Sequence, residues 1–214
     1  MVSVGSADRY LPDTVQQAVK IPVVGAFGVG KTTLVGSVSE ITPLRTEEVM
    51  TQASVGVDDL AGMDSKTTTT VAMDFGRVTL SPRIVLYLFG TPGQRRFWDL
   101  WEGLLEGALG VLVLIDTRRL EDSFDVLEQL EIRDIPFAVA VNTFPDSQAY
   151  ATEELREALD LLEETPIVTC DARDRGSAAG VLITLVEHVL DSEAFPASVP
   201  APVSAPVTAP GAAL

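Results

Sequence analysis

The chain has one cysteine, one histidine, and 15 lysine and arginine residues against 31 aspartate and glutamate, a net charge of −16. Each scarcity excludes something. A lone Cys170 cannot form an intramolecular disulfide and suits a reducing compartment. His188, the single histidine, lies far along the chain from any motif and reads as structural. A balance this acidic, with no basic stripe, argues against nucleic-acid binding and against electrostatic docking on anionic lipid. No apolar run reaches transmembrane length. The start of the chain lacks the apolar core of a signal peptide, and its end lacks a lipidation motif. The expectation is a soluble, cytoplasmic protein.

What is present is the composition of a globular protein. Hydrophobic residues make up 46% and charged residues 21% of 214 positions, enough for a full core in one domain plus a tail. The stretch Gly25-Ala26-Phe27-Gly28-Val29-Gly30-Lys31-Thr32 satisfies the phosphate-loop pattern G-x-x-x-x-G-K-[ST] at every specified position. Ile21-Pro22-Val23-Val24 before it reads as a short buried strand, and Thr33–Val38 after it can open a helix. Glycines at both ends let successive N–H groups converge on phosphate oxygens, and the helix N-terminus adds its partial positive charge. Lys31 is the mobile charge for the β- and γ-phosphates, and the Thr32 hydroxyl is placed for Mg²⁺.

Residues 1–19 form an N-terminal extension in which Pro12-Asp13-Thr14 can cap a short helix over Val15–Val19. Strand one is Lys20–Val24, with Pro22 awkward in a central ladder. Ile41–Thr69 shows no clean periodicity and reads as a long functional or mobile loop. Val71–Leu80 alternates, placing Val71, Met73, Phe75 and Arg77 on one face, and Ser81-Pro82 turns it back into Arg83–Phe89 as an antiparallel partner. A helix is expected through Trp98–Gly107, a buried strand over Leu109–Ile115, and a helix over Glu121–Ile132. A strand over Pro136–Val141, a helix over Glu153–Leu162, a strand over Pro166–Thr169 and a helix over Gly180–Leu190 complete the domain. This alternation predicts an α/β fold: a six-stranded, mostly parallel sheet with one antiparallel hairpin strand and helices on both faces. Residues 20–191 would be the nucleotide-binding domain. Residues 192–214, mostly Ala, Pro, Val and Ser at their end, read as a disordered tail.

The order of these motifs resembles the Ras-like small GTPases: the phosphate loop, Thr70 before strand two, and Thr91-Pro92-Gly93-Gln94 after strand three. Within that superfamily, Thr67–Gly76, Leu88–Gln94 and Asp116-Thr117-Arg118-Arg119 resemble the bacterial conservon-type GTPases, relatives of the gliding-polarity GTPase that are typically encoded beside a Roadblock/LC7 protein. The resemblance covers residues 8–191. It implies a P-loop GTPase, a molecular switch that binds GTP or GDP with Mg²⁺ and hydrolyses the γ-phosphate. Gly25, Gly28, Val29, Gly30, Lys31, Thr32 and Thr33 would hold phosphates, with Thr32 and Thr70 on the metal. Thr70 and Gly93 would also give backbone N–H groups to the γ-phosphate, and Gln94 would orient the attacking water. Asn142, Asp146, Asp171, Ala172 and Arg173 would meet the base, the Ala172 N–H bonding its O6 and Arg173 covering its face.

Three departures from that pattern stand out. Gly90 replaces the usual aspartate before Thr91, removing a carboxylate from the metal's surroundings. Asn-Lys-x-Asp appears as Asn142-Thr143-Phe144-Pro145-Asp146, with Thr143 for lysine and the aspartate one position late. Cys170-Asp171-Ala172-Arg173 stands for the Ser-Ala-Lys loop. Two alternatives stay open: a P-loop ATPase using Asp116, at the end of an apolar strand, for Mg²⁺, and a nucleotide-binding scaffold with negligible hydrolysis. Arg95 and Arg96 are candidate arginine fingers in cis, and Phe97 and Trp98 suit a partner interface. Hydrolysis by the isolated chain is expected to be slow and regulated by a Roadblock/LC7-type partner.

Overall fold

The computed structural model describes residues 14–51, 68–92 and 103–192; for 44–51 and 68–72 it describes the backbone alone. The first strand, β1 (Gln17–Val24), leads through the phosphate loop into α1 (Lys31–Val38). Then follow β2 (Leu44–Thr51), β3 (Thr68–Ser81), β4 (Ile84–Gly90) and β5 (Val111–Ile115). A 3₁₀ segment (Thr117–Ser123) opens α2 (Phe124–Ile132), and β6 (Phe137–Asn142), α3 (Thr152–Ala158), β7 (Ile167–Cys170) and α4 (Arg175–Asp191) complete the order.

Among the described residues the strands form one seven-stranded sheet in the order β2-β3-β4-β1-β5-β6-β7. β1 pairs parallel with β4 and β5, and β5–β6 and β6–β7 are parallel as well. β3 is antiparallel to both neighbours, so it is the one reversed strand. The α/β class and the reversed hairpin strand are as the sequence predicts. The additional strand is β2, inside the stretch expected to be loop, and it pairs with β3 from Leu44↔Phe75 to Thr51↔Thr68. Its strand state depends on a partner far along the chain, which local periodicity does not register.

Apolar residues alternate along the central strands and feed two cores. Ile21, Val23, Leu112 and Leu114 pack with Leu34 and Val35 of α1 and Leu182 and Leu185 of α4. Val24, Val111, Val113 and Ile115 pack on the other face with Val126, Leu127 and Leu130 of α2 and Leu155 of α3.

β1 begins at Gln17, where helix was expected; Gln17 pairs with Ile84, so the length of β4 extends it. Pro22 fits because of where its nitrogen points. The Lys20 carbonyl accepts from Leu109 and the Val23 carbonyl from Thr91, so even-numbered β1 residues face β5. The β5 register begins at Val23↔Leu112, so Pro22 stands at the edge of that pairing, where a missing N–H interrupts no continuing ladder. Residues 193–214, which include most of the proposed tail, lie outside the described residues, as do 93–102.

Candidate functional site

Parallel strands end on a common edge, and the loops leaving β1, β5, β6 and β7 meet there, the position where open α/β sheets bind ligands. Two glycines of the phosphate loop are sterically required. Gly25 has φ 136°, and a Cβ there would lie 2.2 Å from the Leu114 carbonyl oxygen. Gly30 has φ 108°, and a Cβ would lie 2.6 Å from Asn142 Nδ2. Gly30 also precedes α1 without a side-chain cap, so the first helical N–H groups are left for an anion.

Lys31 is buried at the base of this loop and donates to the Gly25 and Ala26 carbonyls at 2.7 and 2.6 Å. Burial pushes its ammonium down to about 8, the nearby Asp74 charge opposing. Val29 is buried, while Thr32 and Thr33 are exposed at the start of α1. The motif residues Gly25, Gly28, Val29, Gly30, Lys31 and Thr32 lie together on this loop and the first turn of α1.

Beside Thr32 lies a residue that sequence reasoning missed. Asp74 of β3 lies opposite Gly90 of β4 in the antiparallel register. It is buried, and its Oδ2 accepts a hydrogen bond from the Thr32 hydroxyl. A Cβ at Gly90 would sit 3.1 Å from Asp74 Cβ and 3.3 Å from Oδ2. The volume beside Gly90 is therefore filled by a carboxylate from the neighbouring strand. The sequence signal was partial: Asp74 is an acidic residue on the face of Val71–Leu80 opposite Met73 and Phe75, but that it faces Gly90 follows only from the strand register. Among the described residues no three His, Cys, Asp or Glu side chains converge as a metal cage. The hard oxygens of Thr32 and Asp74 fit Mg²⁺ all the same, since that ion takes one or two protein ligands and completes its shell with phosphates and water.

Asp116 is bonded elsewhere. It caps the 3₁₀ segment by accepting from the Arg118 N–H, and its two oxygens accept from Arg118 Nε and Nη2 at 2.9 and 2.8 Å. These bonds hold its carboxyl below the usual range. Asp116, the carboxylate of the ATPase alternative, is thus engaged by Arg118 in this structure.

The base end departs further from expectation. Asn142 is buried and ties two loops together, donating from Nδ2 to the Val29 carbonyl at 2.9 Å and accepting at Oδ1 from the Ala172 N–H at 3.0 Å. That Ala172 N–H, expected on the base, is engaged by Asn142. Arg173, expected over the base, folds back onto Asp171 with two contacts of 2.9 Å, which hold the Asp171 carboxyl at about 2. Thr143 turns its hydroxyl to the Cys170 carbonyl. Asp146 is paired with Arg118 Nη1 at 2.6 Å. Arg119 donates to the Phe27 carbonyl at 3.1 Å, so a cation from the β5 loop lies on the rim of the phosphate loop.

Thr70 is a paired residue of β3, opposite Val49, where a loop residue was expected. Gly93, Gln94, Arg95, Arg96, Phe97 and Trp98 lie outside the described residues. Among the described residues no helix is long and apolar enough to cross a membrane.

Comparison with known proteins agrees with this architecture. The chain is 29% identical over 126 residues to the uncharacterized protein MJ1339 of Methanocaldococcus jannaschii, a match spanning 58% of this chain and 69% of that one. Its fold is similar to the crystal structure of the G domain of the T. maritima FeoB iron transporter, with a TM-score of 0.54 and 20% identity, covering 80% of this chain and 98% of that one. The model of a family described as conserved hypothetical ATP binding protein matches residues 23–192. With its phosphate loop built as described and a match that spans most of its length, the chain belongs to that P-loop nucleotide-binding family.

Proposed function

We propose that this protein is a Ras-like GTP-binding switch of the conservon type that uses Mg²⁺ and hydrolyses GTP slowly on its own. One observation supports this reading above the others: the Asp74 carboxylate bonded to Thr32 in the space beside Gly90. The family's missing aspartate is supplied from β3, so the loss at position 90 does not by itself abolish turnover. Bound there, Mg²⁺ would neutralise the β- and γ-phosphate oxygens. Lys31 would leave the Gly25 and Ala26 carbonyls for the phosphates and Gln94 would orient water. Thr70 lies four residues before Asp74 on β3, about 13 Å away at strand rise, so for it to contact the metal and the γ-phosphate the start of β3 would have to unpair from β2. Without an arginine finger, a group worth on the order of 10³–10⁵ in rate, turnover stays slow. A Roadblock/LC7-type partner docking near Thr70 and residues 94–98 would change it. The protein would work in the cytoplasm, with residues 20–191 as the switch domain and 192–214 as an appended tail.

The family's description as ATP-binding favours a second reading, in which adenine nucleotides are the ligand. The test is twofold. The co-purifying nucleotide is identified, and Mg²⁺-dependent GTP and ATP affinity and single-turnover hydrolysis are measured for wild type, Asp74→Asn and Gln94→Ala, with and without the partner. Asp74→Asn should lower the Mg²⁺-dependent part of the affinity by about tenfold while sparing the metal-free part. An Asp74→Asn protein with unchanged Mg²⁺ dependence would sink the metal assignment, and equal affinity for ATP and GTP would transfer the reading to ATP.

A further inference from the structure

Thr143 stands where the family pattern has a lysine, and its hydroxyl is turned away onto the Cys170 carbonyl. The cation in this region comes from another loop. Arg118, just past β5, makes a bidentate contact with buried Asp116 through Nε and Nη2 and reaches Asp146 with Nη1 at 2.6 Å. Its guanidinium also lies 3.9 Å from the centre of the Phe144 ring. One planar head thus clips the loop after β6 to the end of β5. That loop is itself closed, since Phe144 N donates to Ser147 Oγ and Ser147 N to the Phe144 carbonyl. Asp146 is the carboxylate in this turn, with a side chain 71% exposed.

We propose that Arg118 is the positioning residue for base recognition, fixing the Asp146 carboxylate so that Oδ1 is spent on the arginine and Oδ2 accepts from the N–H groups of a guanine-type base. The inference rests on the guanine-nucleotide reading above. An aspartate one residue late in its motif must be re-aimed, and an exposed carboxylate otherwise samples several rotamers. Freezing one of them before the ligand arrives removes an ordering cost from binding. An exposed ion pair adds little to stability, so the effect of the Arg118–Asp146 contact falls on selectivity. Lysine cannot replace this arginine, because a point charge on a flexible stem does not hold two carboxylates and a ring face at once.

The experiment is displacement of a fluorescent nucleoside diphosphate from the full chain by GDP, IDP, XDP and ADP, with thermal stability measured in parallel. The variants are Arg118→Lys, Arg118→Gln, Asp146→Asn and the double variant Arg118→Lys/Asp146→Asn. Arg118→Lys keeps a cation beside Asp116 and is the variant expected to remain folded. It should reduce the preference for GDP over IDP by about tenfold and leave ADP affinity unchanged. In the Asp146→Asn background the same change should reduce it no further, because the arginine acts through that carboxylate. A preference for GDP over IDP that survives Arg118→Lys and Arg118→Gln, or losses that simply add in the double variant, would overturn the role of Arg118 while leaving the guanine reading intact. A wild type that binds IDP, XDP and ADP as well as GDP would overturn the guanine reading itself, and this inference with it.

Discussion

The phosphate loop is held by backbone geometry, whereas the far end of the site is held by side chains gripping one another. Gly25 and Gly30 take positive φ against close neighbours, and such a loop has few alternatives once the residues are in place. Across the cleft, Arg118 links Asp116 to Asp146, Arg173 folds on Asp171, and Asn142 spans Val29 and Ala172. Backbone cradles recognise the charge that all nucleotides share, because every residue contributes the same N–H. Side-chain networks can be reassembled from different residues, so they are where a motif drifts while its geometry is rebuilt.

The sharpest way to break the comparison is to remove the buried lysine at the backbone-built end. Lys31→Met should weaken binding of all nucleotides by about 100-fold, the loss of charge-assisted bonds to phosphate. Because Lys31 is a desolvated cation, the melting temperature should stay level or rise. A calorimetric titration with GDP and ADP, beside a melting curve, checks both halves.

Gly30→Ala strikes the point where the two ends touch, since its Cβ would press on Asn142 Nδ2. A non-glycine residue forced into such a backbone region costs on the order of 1–3 kcal/mol. Urea denaturation of the nucleotide-free protein should show a loss of that size. An unchanged midpoint would mean that Asn142 is not the fixed strut described here.

The smallest expected effect belongs to the side-chain end and depends on pH. Contacts with Arg118 hold the Asp116 carboxyl below its ordinary value in the folded chain. Its stabilisation is therefore complete above the unfolded value of about 4 and is lost as pH falls through the lowered folded one. Asp116→Asn should cost about 1 kcal/mol at pH 7, the scale of one ordinary hydrogen bond, because the amide oxygen keeps an acceptor for Arg118. Its stability should also decline less steeply than the wild type's on acidification. Parallel urea curves at pH 7 and pH 3.5 would show the two proteins converging; a constant gap would remove Asp116 from the account.

The sequence determined the phosphate loop, the strand-and-helix alternation and the central core by itself, because each is written in residues contiguous along the chain. Gly25 through Thr32 carry their geometry in local dihedral preferences, and Val111–Ile115 announces its burial by composition alone. Only the tertiary structure decided that Leu44–Thr51 is a strand, that Asp74 fills the space beside Gly90, that Ala172 serves Asn142, and that Arg118 grips Asp146. Each of these joins positions well separated in sequence, and each depends on strand register or loop convergence. Register is fixed by pairing with a distant partner, and a side chain's neighbour across two strands or two loops leaves no periodic trace in the order of residues.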